Sequence, residues 1–129
     1  MGRIVRNVKV QNTLNPEKQV NFSGLVDTGA AYVTLPNEWR ELLGDIPTVE
    51  KVECATADGK TVNGDVVGPV QITIEGFRPV SSEVLFIDMQ TDEEEGHEAL
   101  IGHLVLQHLN IAVDMLGHRL VHAKYIDLK

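Results

Sequence analysis

Apolar and polar residues alternate over much of this chain with the two-residue period of a strand. Ile4, Val8 and Val10 share one face of residues 3–10, with charged or polar neighbours between them, which predicts a half-buried strand. Asn12 to Lys18, with Asn15-Pro16 inside it, predicts a turn. Val20, Phe22, Gly24 and Val26 then fall on one face of a second strand, and after a sharp break Tyr32, Val33 and Leu35 resume the pattern. Pro36, the helically spaced Trp39, Leu42 and Leu43, and Gly44 predict a short helix that begins at the proline and ends at the glycine.

From Thr48 the strand period returns with Val49, Val52 and Cys54. Asp58-Gly59, between Ala55-Thr56-Ala57 and Lys60-Thr61-Val62, predicts a two-residue hairpin. Val66-Val67 and then Val70, Ile72 and Ile74 predict further strands, broken at Gly68 and turning at Gly76-Phe77. The unbroken run Val84-Leu85-Phe86-Ile87, with Val80 before it, predicts a strand covered on both faces. Residues 88–98 are polar and acidic and read as a solvated loop. His103 to Leu109 has helical spacing, Ile111 and Val113 return to strand, Leu116-Gly117-His118 turns the chain, and a last strand runs up to Ile126. Many short strands with two short helices predict a mainly β, barrel-like fold.

The length of 129 residues suits one domain spanning 1–129. Nineteen acidic against eleven basic residues, a formal charge of -8, argue against nucleic acid or an anionic membrane surface as partner. A basic or neutral polypeptide is the partner class that the charge leaves open. Cys54 is the single cysteine, so no intrachain disulfide can form, and a reducing, cytoplasmic setting is expected. Lying in an alternating run without a nearby histidine, it reads as structural. Near Met1 no uninterrupted apolar stretch occurs, because Arg3 and Arg6 break it, so no signal peptide or membrane helix is expected there.

Candidate chemistry gathers at the break between the second and third strands. Asp27, Thr28 and Gly29 stand where two apolar runs meet, and Asp and Gly are poor strand residues but good turn formers. The tripeptide alone could be a plain β-turn. Its context says more. Leu25-Val26-Asp27-Thr28-Gly29-Ala30 resembles the active-site signature of the aspartic proteases, and Ala99-Leu100-Ile101-Gly102 resembles the paired apolar element of the retroviral-type branch. An apolar strand, a glycine-containing bend and a following segment occur at residues 22–43 and again at 98–109, as in the approximate internal duplication of that branch. The resemblance covers most of residues 20–116 and implies a closed acid-protease lobe.

Pepsin-like members carry two such motifs in two lobes, whereas this chain has one, so the resemblance implies a homodimer and a polypeptide substrate. Asp27 is then the catalytic residue, with its twin supplied by the partner. Thr28 would hydrogen-bond across the interface, the Gly29 amide would hold a carboxylate oxygen, Ala30 completes the signature, and Leu100, Ile101 and Gly102 form the loop under the site. Ala57, Asp58, Gly59 and Lys60 occupy the place of the family's flap, although that flap is usually richer in glycine and isoleucine.

Metal-free, cofactor-free hydrolysis of this kind needs a water made nucleophilic and a leaving nitrogen given a proton. One ordinary carboxylate cannot do both, but two that share a proton can. A self-processing domain of a larger protein would share this chemistry, whereas a noncatalytic peptide-binding or dimerisation module would need only the barrel. Other constellations are poorer. The five histidines form no compact ligand set, and Gly59, Gly64 and Gly68 miss the spacing of a phosphate loop. Asp114, after Ile111-Ala112-Val113, reads as structural.

Overall fold

The computed structural model describes residues 3–55, 59–88, 99–117 and 119–122. Its strands are β1 (Val5–Asn12), β2 (Gln19–Val26), β3 (Val33–Pro36), β4 (Thr48–Ala55), β5 (Thr61–Ile74), β6 (Val80–Ile87), β7 (Ala99–Ile101), β8 (Ile111–Asp114) and β9 (Arg119–His122). A 3-10 helix spans Asn37–Leu43, and α1 spans His103–His108. Six strands close a ring in the order β1, β2, β7, β3, β6 and β5, with β5 pairing back to β1. The mainly β, barrel-like expectation therefore holds, and closure leaves the ring without an open edge.

Alternation puts one face of each strand inside. Val8 and Val10 of β1, Ile72 and Ile74 of β5, and Leu35 of β3 meet in the core, while Lys9, Gln11 and Gln71 face outward. In β6, Val84, Leu85 and Phe86 are all buried, as their unbroken apolar run predicts. β6 lies between β3 and β5 and is covered on both faces. Leu43 closes the 3-10 helix against the core, and Trp39 packs on Phe22 with ring centroids 5.7 Å apart. Pro36 is the last residue of β3, with the extended ψ of 140°, and stands just before the helix instead of inside its first turn.

Buried Asn12 ties the end of β1 to this helix. Its Nδ2 donates to the Leu43 carbonyl at 2.8 Å, while its Oδ1 accepts from the amides of Leu14 and Asn15 and so shapes the turn that follows.

One further expectation changes. The residues on either side of Gly68 belong to one strand of fourteen residues, with a register shift against β6 between Val67 and Val70. Proline cannot donate to a ladder, and the shift lets exposed Pro69 sit where β5 changes partner, from β4 over Thr61–Val67 to β1 over Val70–Ile74. β4 and β5 pair last at Ala55 and Thr61, and most of the predicted Asp58-Gly59 hairpin turn falls outside the described residues. Gly59 takes a φ of 85°. Ala57 and Asp58 lie outside the described residues, as do the acidic loop at 92–95 and the final strand beyond His122.

Candidate active site

Asp27 owes its position to two parallel strands. β2 and β7 pair Gly24 with Ala99, Leu25 with Leu100 and Val26 with Ile101. A side chain at Gly24 would come within 2.8 Å of the Ile101 side chain, so glycine lets the two strands approach. The ladder runs one step further, with the Asp27 amide donating to the Ile101 carbonyl at 3.0 Å. Val26 is held from the other side, because its amide donates to the Ile4 carbonyl at 2.8 Å.

At Asp27 the chain turns. The Ala30 amide donates to the Asp27 carbonyl at 3.1 Å, and the Gly29 amide donates to Asp27 Oδ1 at 2.9 Å. That bond fixes one carboxylate oxygen within the turn. A Cβ on Gly29 would lie 3.2 Å from Oδ1, so a side chain there would crowd the group it serves.

The following segment docks on the start of α1. The amides of His103 and Leu104 donate to the carbonyls of Ala30 and Ala31, at 2.8 and 3.0 Å. Helices leave their first amides without internal partners, and here the Asp27 loop supplies them. Asp27 to Ala31 and Leu100 to Leu104 thus form one hydrogen-bonded unit, and it joins the two segments whose sequence pattern repeats. Gly102 sits where a Cβ would collide with the carbonyl oxygens of Ala31 and Tyr32. We expect Gly102→Ala to destabilise the fold by about 3 kcal/mol, because the obstacles are backbone atoms that cannot swing away. A fall in the denaturant midpoint at unchanged slope would measure this, and an unchanged midpoint would contradict it.

The carboxylate opens into a cleft of about 260 Å³ lined by Arg3, Leu25, Val26, Thr28, Val113 and Met115, among others. Asp27 is half-buried, while Thr28 and Gly29 are exposed. Gly59 and Lys60 end the β4–β5 hairpin and do not line this cleft. Val113 and Met115 were not singled out by sequence reasoning. The available signal was the apolar pair Met115-Leu116 at the turn before Gly117, and the structure leaves both residues exposed. A larger hollow of about 620 Å³ opens between β1, β2 and the end of β5, away from Asp27, where Asn7 Nδ2 donates to Glu75 Oε2 at 2.7 Å.

The turn carrying Met115 is locked by Asp114. Its Oδ1 accepts from the Gly117 amide and its Oδ2 from Arg119 Nε, both at 2.9 Å. The Gly117 amide foremost, and then Arg119, hold the Asp114 carboxyl below its usual pKa. A lowered folded pKa stabilises above the unfolded value of about 3.9, and the contribution disappears as pH falls through the folded value. Protection of the β8 and β9 amides, taken relative to intrinsic exchange at the same pH, should therefore fall on acidification below about pH 4, and Asp114→Asn should remove that loss.

Among the described residues no cluster of three or more His, Cys, Asp or Glu could hold a metal, and no helix is long and apolar enough to cross a membrane. The sequence profile described as aspartyl protease matches residues 8–104. The chain belongs to that family. It is similar in structure to EIAV protease complexed with the inhibitor HBY-793, with a TM-score of 0.64 and 19% identity, covering 88% of this chain and 94% of that one. It is also similar to the retroviral protease-like domain of Ddi1 from Leishmania major, with a TM-score of 0.55 and 16% identity, over 95% and 90% of the two chains. No curated protein sequence matches it. Family and likeness together identify a retropepsin-like aspartic protease fold with a single lobe per chain.

Proposed function

We propose that the protein is an aspartic endopeptidase that works as a homodimer, with Asp27 of each protomer forming one catalytic dyad. The observation that carries this is the presentation of a single carboxylate per lobe at the β2 bend, one oxygen held by the Gly29 amide and a cleft of mixed polar and apolar lining beside it. One such carboxylate is half of a site.

Across a two-fold axis, two Asp27 carboxylates about 3 Å apart would share a proton, because both cannot ionise together. The ionised partner takes a proton from water as it attacks the peptide carbonyl. The protonated partner polarises that carbonyl, and a proton later passes to the leaving nitrogen. Thr28 would bond across the interface, Ala30 holds the turn by its amide, and the β4–β5 hairpin with Gly59 and Lys60 at its end would close over the polypeptide. The single cysteine suits a cytoplasmic location.

Digestion of a peptide library, with and without an inhibitor that mimics the tetrahedral transition state of aspartic proteases, tests this reading. Cleavage that the inhibitor blocks is expected, with a bell-shaped pH dependence whose two limbs belong to the dyad as a pair. The net charge of -8 should move the upper limb toward higher pH, and added salt should move it back. Inactivity throughout that range would favour a noncatalytic peptide-binding module.

A further inference from the structure

The β4–β5 hairpin leaves the barrel at a definite place. β5 pairs with β6 from Gly64, which lies opposite Ile87, but over Thr61–Asn63 its only partner among the described residues is β4. Residues 53–55 and 61–63 therefore form a two-stranded arm beyond the barrel wall. At its root, Gly64 is buried, and a Cβ there would come within 2.8 Å of both Ile87 Cγ2 and Leu85 Cδ1. β5 thus packs closely on β6 just where the arm begins.

Arg40 of the 3-10 helix reaches the root of the arm. Its Nη1 donates to Asp65 Oδ2 at 2.8 Å, and its Nη2 donates to Thr48 Oγ1 at 2.6 Å. Asp65 is the residue after Gly64 on β5, and Thr48 is the first residue of β4. One planar guanidinium therefore ties both strands of the hairpin to an element whose Leu43 is anchored in the core. Arg40 and Asp65 are each about one-third exposed, and a hollow of about 590 Å³ opens beside them. Such a link is weak enough to break and re-form during motion, and strong enough to bias it.

We propose that Arg40 is a positioning residue that sets the angle at which the β4–β5 arm leaves the barrel. Its consequence for cleavage rests on the peptidase reading of Asp27, but its consequence for the arm does not. Arm motion that must be restrained for substrate to be held will show in KM more than in kcat.

Hydrogen exchange on the full chain, normal and Arg40→Gln, tests the structural half. Residues 53–55 and 61–63 should exchange about fivefold faster in the variant, the size expected for losing a partly exposed ion pair, while β1 and β2 keep their protection. Asp65→Asn should do the same, and the double variant should add little, because the two residues act through one contact. Arg40→Lys, which keeps the charge but cannot grip Asp65 and Thr48 together, should fall between. Unchanged exchange in the arm, or acceleration spread equally through β1 and β2, overturns the proposal. In the cleavage assay, Arg40→Gln should raise KM about two- to fivefold with kcat within about twofold of normal. An active variant with a faster-exchanging arm and an unchanged KM would overturn it too. If the normal protein cleaves nothing, the reading of Asp27 fails, and the exchange experiment still decides whether Arg40 sets the arm.

Discussion

Asp27→Asn is expected to lower peptide cleavage by about ten-thousandfold or more while leaving the fold in place. Two roles are lost at once, since the amide can neither take the proton from water nor hold the shared proton, and each general acid or base role is worth about a hundred- to ten-thousandfold. The structure explains why the fold should survive. Asn is nearly the same size, its side-chain oxygen can still accept from the Gly29 amide, and the contacts that position the loop run through backbone groups of Asp27, Ala30 and Ala31. Thermal melting followed by circular dichroism should shift by no more than about 4 °C, the scale of a change of about 1 kcal/mol or less in a domain of this size. Cleavage and melting should be measured on one preparation freed of host proteases. Retained cleavage would remove Asp27 from the mechanism, whereas loss of both signals would mean that the carboxylate is needed for folding.

The Asp27 loop was legible in the sequence because its determinants are local. Val20 to Val26 alternate up to an acid that cannot continue the strand, and Thr28-Gly29 turn the chain at once. Burial of β6 was legible for the same reason, in the four consecutive apolar residues from Val84 to Ile87. Gly68 and Pro69 misled because both are usual strand breakers, yet a register shift accommodates them within β5 as it passes from β4 to β1. The turn at Asp58-Gly59 falls largely outside the described residues, but the register it feeds can be read. Register in β5 answers to burial, with Gly64 and Val66 facing inward and Asn63 and Asp65 more exposed, and a slip of one residue would invert that. The pairing of β2 with β7 joins residues some 75 positions apart, and no local pattern encodes it. Val113 and Met115 reach the cleft only through that long-range closure, as does the grip of Arg40 on Thr48 and Asp65.

Mixing normal chains with Asp27→Ala chains should reveal whether the site is shared between two protomers. If catalysis needs both copies of Asp27, a mixed dimer has one carboxylate and no dyad, although its interface and cleft are otherwise built. At equal amounts, after full exchange of subunits that pair without preference, about a quarter of the dimers are normal homodimers. Activity should then fall to about a quarter of that given by the same total of normal protein, whereas a self-sufficient protomer would keep about half. Mass-tagged chains would verify exchange, and sedimentation of the two pure proteins would verify that they pair equally well. Dilution supplies a second line, because dissociation of an obligate dimer lowers activity per chain by mass action. A value near a half, with exchange complete and specific activity independent of concentration, would mean that Asp27 works without its twin. The bend in β2 would then be a whole site, and the source of the second proton-transferring group would have to be sought within the same chain.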